Sequence, residues 1–135
     1  MTAADILAAA RACLGTPFRH QGRIPGVALD CAGLVVAVAA AIGADYLDQT
    51  GYGRLPIDNL LTAALDAQPC LDRVADRRPG DVLVLRLCAD PQHLAIAGAD
   101  TLIHCWETVG SVCEHALDAK WAARIVRIYR FRGLE

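Results

Sequence analysis

"LDCAGLVVAVAAAIG", residues 29–43, sets an aspartate and a cysteine directly in front of an uninterrupted apolar run. Asp30 is a good helix N-cap, because its carboxylate accepts from the unpaired N–H groups of a first turn. Gly43 supplies the stop, so the stretch predicts a helix over residues 31–42. With no polar residue on any side, that helix is expected to be buried all round. Cys31 then stands at the first turn, where free N–H groups and the helix dipole favour a thiolate. The competing reading is a packed core thiol, since cysteine is among the most buried residue types.

Outward from this stretch, the chain divides into a helical first half and a strand-rich second half. Thr2 with Asp5 forms a capping-box pattern, and Ile6, Ala9, Ala10, Cys13 and Leu14 recur at helical spacing, so residues 3–14 predict a first helix ending at Gly15. Residues 15–30 are rich in Gly and Pro and have no periodicity, which marks a long functional loop leading into Cys31. A second loop covers 44–56, and "PIDNLLTAALDAQ" predicts a third helix over 56–68 with Asp58 near its start. After the turn "RPGD", apolar runs separated by turn residues predict strands at 82–88, 93–97, 101–106 and 124–131, with "GAD" at 98–100 joining the middle two. Helices followed by strands give an α+β fold, a single domain over residues 1–135 with N-terminal helices packed on an antiparallel sheet.

Thirteen basic against fifteen acidic side chains leave a net charge of −2, without the basic excess that a nucleic-acid partner requires. The longest apolar window, 31–42, falls well short of the roughly 20 residues of a membrane-spanning helix. The N-terminus reads as an amphipathic helix and not as an export signal, so synthesis in the cytoplasm without a signal peptide is expected. The six cysteines show no CxxC pair, and free thiols are expected. Cys88, His93, His104, Cys105, Cys113 and His115 are all zinc-capable, but their spacing matches no zinc knuckle or ribbon, and neither a metal nor a cofactor is expected.

A thiol nucleophile needs a base within hydrogen-bond reach and a group to orient it. In "PQHLAIAG" and "TLIHCWE", His93 and His104 lie on two strands joined by the "GAD" turn. Pairing would bring them together on one side of the sheet, where His104 orients His93 and the Cys31 helix packs on that same side. His20 and His115 read as solvated loop residues.

"LDCAGLV", "RPGDVLVL", "HLAIAG" and "LIHCW", in that order, resemble the NlpC family of papain-like cell-wall cysteine peptidases. Its pattern is Asp-Cys-Ser-Gly-Leu, a Pro-Gly-Asp turn, a His before an aliphatic strand, and a closing Ile-His. The resemblance implies a papain-like fold and an endopeptidase acting on peptidoglycan stem peptides. It makes Cys31 the nucleophile, His93 the general base and acid, His104 the orienting group, and Asp30 a ligand for the substrate's free amine. The Cys31 backbone N–H is then a donor to the oxyanion. Two positions depart from the pattern. Ala32 stands where the family has Ser, and Phe18 where it has Tyr, with His20 a candidate to supply the missing polar group; all three are expected to line the substrate groove. The opening "LGTPFRHQGRIPGVALDCAGLV" and closing "RIVRIYRFRG" look most like the compact peptidases of phage-tail and gene-transfer-agent clusters. That likeness implies tail proteins as partners and action at the cell wall as part of a virion-like tail particle. An amidase or acyltransferase on the same scaffold, and a catalytically silent tail-assembly module, are the alternatives.

Overall fold

The protein is described here by a computed structural model covering residues 1–49, 51–53, 60–87 and 91–135. The helices are α1 (Ala3–Arg11), α2 (Cys31–Ala41), α3 (Leu60–Asp66) and α4 (Ala119–Ala122). The strands are β1 (Arg23–Ile24), β2 (Ala28–Leu29), β3 (Leu71–Val74), β4 (Val82–Arg86), β5 (Pro91–Ala97), β6 (Thr101–Trp106), β7 (Ser111–Ala116) and β8 (Ile125–Phe131). Strands β3 to β8 form one antiparallel sheet in the order β3-β8-β4-β5-β6-β7, and β1 pairs with β2 in a separate hairpin. No helix among the described residues is long and apolar enough to cross a membrane.

Both faces of the sheet are covered, which is why the "VLVL" of β4 is buried without a break. One face carries Val82, Val84, Leu94, Ile96, Ile103, Cys105, Tyr129 and Phe131, packed against Ile6 and Ala10 of α1, Leu34, Val35 and Val38 of α2, and Leu65 of α3. The other carries Leu83, Leu85, Ala95, Ala97 and Leu102 beneath Trp121 of α4. The capping box at Thr2 and Asp5 is present, and Asp30 caps α2 through Gly33 N–H.

Several sequence expectations change. Helix α1 gives way to turns after Arg11, which lead to Gly15 at φ +83°. Helix α2 is not buried all round: Gly33, Leu34, Val35, Val38 and Ala39 are buried, but Ala40 and Ala41 are exposed, because a methyl side chain costs little in water and the helix needs no polar face there. The loop before Cys31 is organised by the β1–β2 hairpin and by bridges from Pro17 to Ser111 and from Phe18 to Leu29. Of the third helix expected over 56–68, Leu60–Asp66 is observed, while 56–59, Asp58 included, and the C-terminal end expected for β4 at residue 88 lie outside the described residues. Strands β3 and β7, unanticipated, are the two edges of the sheet. The five described cysteines are free.

Candidate active site

Asp30 organises the approach to Cys31. Its Oδ1 accepts from Gly33 N–H at 2.7 Å and from Arg23 at 2.9 Å, while Oδ2 accepts from Gln21 N–H at 2.9 Å and from the Tyr52 hydroxyl. At 5% exposure, the carboxylate sits at the cleft wall with both oxygens already engaged by internal donors. Arg23 also bonds Asp48 at 3.1 Å and the Tyr52 hydroxyl at 2.8 Å. Gln21, the one non-glycine at positive φ among the described residues, reaches the Tyr52 carbonyl at 2.8 Å, and so does His20 at 3.0 Å. Segments some thirty positions apart in sequence are thereby clasped around the start of α2.

Gly33 makes this possible. A Cβ there would lie 2.1 Å from the Gly22 carbonyl oxygen, a backbone atom that the hairpin holds in place. Gly33→Ala is therefore expected to lower stability by roughly 1–3 kcal/mol through overpacking. Chemical denaturation measures this, and an unchanged midpoint would mean that the hairpin yields freely.

The histidines come together from neighbouring strands. His93 Nε2 lies 2.6 Å from His104 Nδ1, and His104 Nε2 lies 2.8 Å from His115 Nε2. His115 Nδ1 is 3.0 Å from the Ala116 carbonyl. A carbonyl only accepts, so His115 carries its proton on Nδ1 and accepts at Nε2. His104 then donates from Nε2 and accepts at Nδ1, and His93 donates from Nε2. In the neutral rings one backbone oxygen thus fixes three tautomers and leaves His93 Nδ1 as the basic nitrogen. His115, expected as a solvated loop residue, is on β7 and within this chain.

The sequence placed the Cys31 helix on the histidines' side of the sheet; the structure places it on the other. His93 pairs with Leu85 and shares the face of Ala95 and Trp121, whereas α2 packs on the face of Leu94 and Cys105. The two sides communicate because the β5–β6 ladder is confined to Ile96↔Ile103 and Ala97↔Leu102. Nearer His93 the strands part, and the Leu94 N–H acts on the Cys31 sulfur. Cys105 donates its thiol to the Leu29 carbonyl at 3.1 Å, tying the residue before Asp30 to β6. Cys31, Ala32, Phe18, His20, Asp30 and His93 all line one cleft of about 830 Å³, bordered also by Tyr46, Tyr52 and Trp106.

The surroundings of Cys31 favour the protonated thiol. Burial, and next the Asp30 carboxylate, push Cys31 up to about 11, against the opposing pull of the Leu94 and Ala32 N–H groups. Burial drops His93 to about 4 and, aided by the neighbouring His93 and His115, His104 to about 3. Desolvation thus opposes the thiolate that the helix start favours. Below its pKa, a thiol's ionised fraction rises with pH, so iodoacetamide labelling of Cys31 is expected to be slow at pH 6 and to climb about tenfold per pH unit between pH 7 and 9. Peptide mapping of the labelled cysteines measures this; a fast Cys31 phase at pH 6 would show a thiolate at rest.

This is a papain-like α+β fold in which Cys31 and His93 share one cleft and His104 is buried behind His93. Solved structures on which the chain superposes include NlpC/p60 proteins. The chain superposes on the NlpC/p60 domain of the peptidoglycan hydrolase SagA with a TM-score of 0.65 at 24% identity, over 95% of this chain and 97% of that one. An NlpC/p60 family protein from Bacillus cereus gives a TM-score of 0.71 at 17% identity, covering 97% of this chain and 40% of that longer one. The peptidoglycan hydrolase RipB from Mycobacterium tuberculosis gives 0.64 at 18% identity, over 98% of this chain and 65% of that one. Comparison with protein-family models gives no match, and comparison with curated protein sequences gives none.

Proposed function

We propose that the protein is a thiol hydrolase that cuts amide bonds in the stem peptides of peptidoglycan. The observation that carries this reading is a cysteine at a helix start opening onto the same cleft as a histidine whose far nitrogen is held at 2.6 Å by a second histidine. The NlpC/p60 neighbours, two of them described as peptidoglycan hydrolases, support the substrate class.

In this reading His93 Nδ1 takes the Cys31 proton as sulfur attacks the carbonyl carbon, forming the C–S bond and an oxyanion that faces the Cys31 N–H. Collapse breaks the C–N bond, and His93 returns its proton to the departing amine. Water, deprotonated by His93, then releases the acyl group and restores the thiol. A neutral thiol and neutral imidazole suit this sequence, because the proton moves only as the nucleophile forms. His104 is a positioning residue. Asp30 holds the first turn of α2, and direct contact with a substrate amine requires the Tyr52 hydroxyl to give way. Phe18, His20 and Ala32 form the groove wall, where Tyr52 brings a phenol from another segment to the rim.

Purified peptidoglycan incubated with the protein is expected to release fragments whose masses show hydrolysis inside the stem peptide. Products cut between sugar and peptide would identify an amidase, peptide-exchanged products an acyltransferase, and no products a silent assembly module; each would overturn the endopeptidase reading. Membership of a phage-tail or gene-transfer-agent particle rests on the likeness of residues 14–35 and 124–133. Flanking genes that encode no tail proteins would remove that support.

A further inference from the structure

Three soft or borderline donors meet on the face of the sheet opposite α2. His104 and Cys113 are directly paired residues on β6 and β7, and His115 lies two residues further along β7 on the same face. Their donor atoms all lie within 4.8 Å of one another, His104 being buried and the other two half-buried. Imidazole nitrogen and thiolate sulfur both ligate zinc, and a site with three protein ligands leaves a fourth position for water. Tetrahedral zinc with ordinary Zn–N bonds needs its nitrogens about 3.3 Å apart. The two Nε2 atoms stand at 2.8 Å, so a small parting of two rings would admit the ion. Trp106 stacks on His104 at 5.4 Å between ring centroids, and Trp121 lies 4.7 Å from His115, giving the pocket aromatic walls.

We propose that His104, Cys113 and His115 bind one zinc-class divalent ion, and that its binding switches off the cleft by reversing the tautomers of His104 and His93. The binding half stands on the geometry alone; the switching half rests on the reading of His93 as base. His115 Nε2 is already unprotonated and can ligate as it stands. His104 must give up its Nε2 proton to ligate, and the neutral ring then carries a proton on Nδ1. That Nδ1–H donates to His93 Nε2, which has become the acceptor, so the His93 proton resides on Nδ1, the nitrogen that serves as base in the proposed mechanism. Two rings exchange one ring proton position each, Cys113 loses its thiol proton as it ligates, and one proton is released per ion.

Cobalt(II) reports binding without any substrate. Titrating the full chain with cobalt is expected to give a thiolate-to-cobalt absorption band saturating at one equivalent, with quenching of tryptophan fluorescence, both reversed by zinc. The band should survive Cys31→Ala and vanish in Cys113→Ser and His115→Ala. No band, or a band lost in Cys31→Ala and retained in Cys113→Ser, would overturn the site. In peptidoglycan hydrolysis, one equivalent of zinc is expected to lower the parent's rate at least about 100-fold, the lower end of what a general base contributes, and the ratio of rates with and without zinc should return to near one in Cys113→Ser. Zinc occupancy with an undiminished rate would overturn the switch. Inhibition persisting in Cys113→Ser would place the inhibitory ion on Cys31. A metal-free parent that cuts nothing would fail the hydrolase reading and the switch with it, while cobalt absorption still decides the site.

Discussion

Cys31→Ala is expected to lower the release of stem-peptide fragments from purified peptidoglycan by on the order of 10⁴-fold or more, the loss typical of removing the nucleophile of a catalytic triad. The residue is half-buried, and alanine keeps the α2 helix and the Asp30 cap, so circular dichroism and the melting temperature are expected to stay close to those of the parent. What disappears is the sulfur that forms the acyl intermediate in the proposed mechanism, beside the Leu94 N–H. His93→Gln is expected to lose activity on a similar scale, and the double variant little more, because groups that act as one unit do not contribute additively. Initial rates measured on the folded proteins decide the matter. A Cys31→Ala protein that releases fragments as fast as the parent would end the thiol mechanism, whatever the fold resembles.

The legibility of this site in the sequence followed how local each cause was. Asp30 as cap, Cys31 at the first turn and the stop at Gly43 depend on neighbours within a turn, and the structure has them, whereas α1 ends at Arg11, short of the expected stop at Gly15. His93 and His104 were readable because a short turn forces their strands to be adjacent. The packing side of α2 was not readable, because it depends on where β5 and β6 stop pairing, a tertiary fact. The strands β3 and β7 escaped notice for a physical reason. Edges of a sheet are kept polar to prevent pairing with other chains, and Asp72, Arg73, Glu114 and His115 blur the alternation that reveals interior strands. His115 was thereby mistaken for a loop residue, and with it the carbonyl that sets the tautomers. The clasp of Arg23, Asp30 and Tyr52 was equally hidden, since its members come from separate loops whose closeness no periodicity records.

The turn "RPGD" was legible as a turn but not as the seat of a fully buried carboxylate paired with a half-buried arginine, and this gives the second large effect. Arg130→Ala is expected to cost roughly 3–5 kcal/mol, the scale of breaking a buried pair from one side. Asp81, at 0% exposure, accepts from Arg130 Nε at 2.8 Å, Arg130 NH2 at 2.8 Å and Arg78 N–H at 2.8 Å. Removing the guanidinium leaves a carboxylate with one backbone donor and no counter-charge, which is why truncating the partner costs more than the pair itself contributes. For a chain of this size the loss corresponds to a fall of roughly 10–20 °C in melting temperature. Asp81→Asn in the Arg130→Ala background is expected to recover part of it, because an amide carries no charge to desolvate. A double variant no more stable than Arg130→Ala would show that the lost arginine stem, and not the stranded charge, sets the cost. The ion pair stands at the start of β4, whereas His93 pairs with Leu85 near that strand's end, so folded Arg130→Ala protein assayed well below its melting point is expected to hydrolyse substrate at close to the parental rate. A kcat loss at that temperature would mean that the ion pair reaches the cleft through β4. Retained kcat would assign Asp81 and Arg130 to holding the sheet on which the site is built.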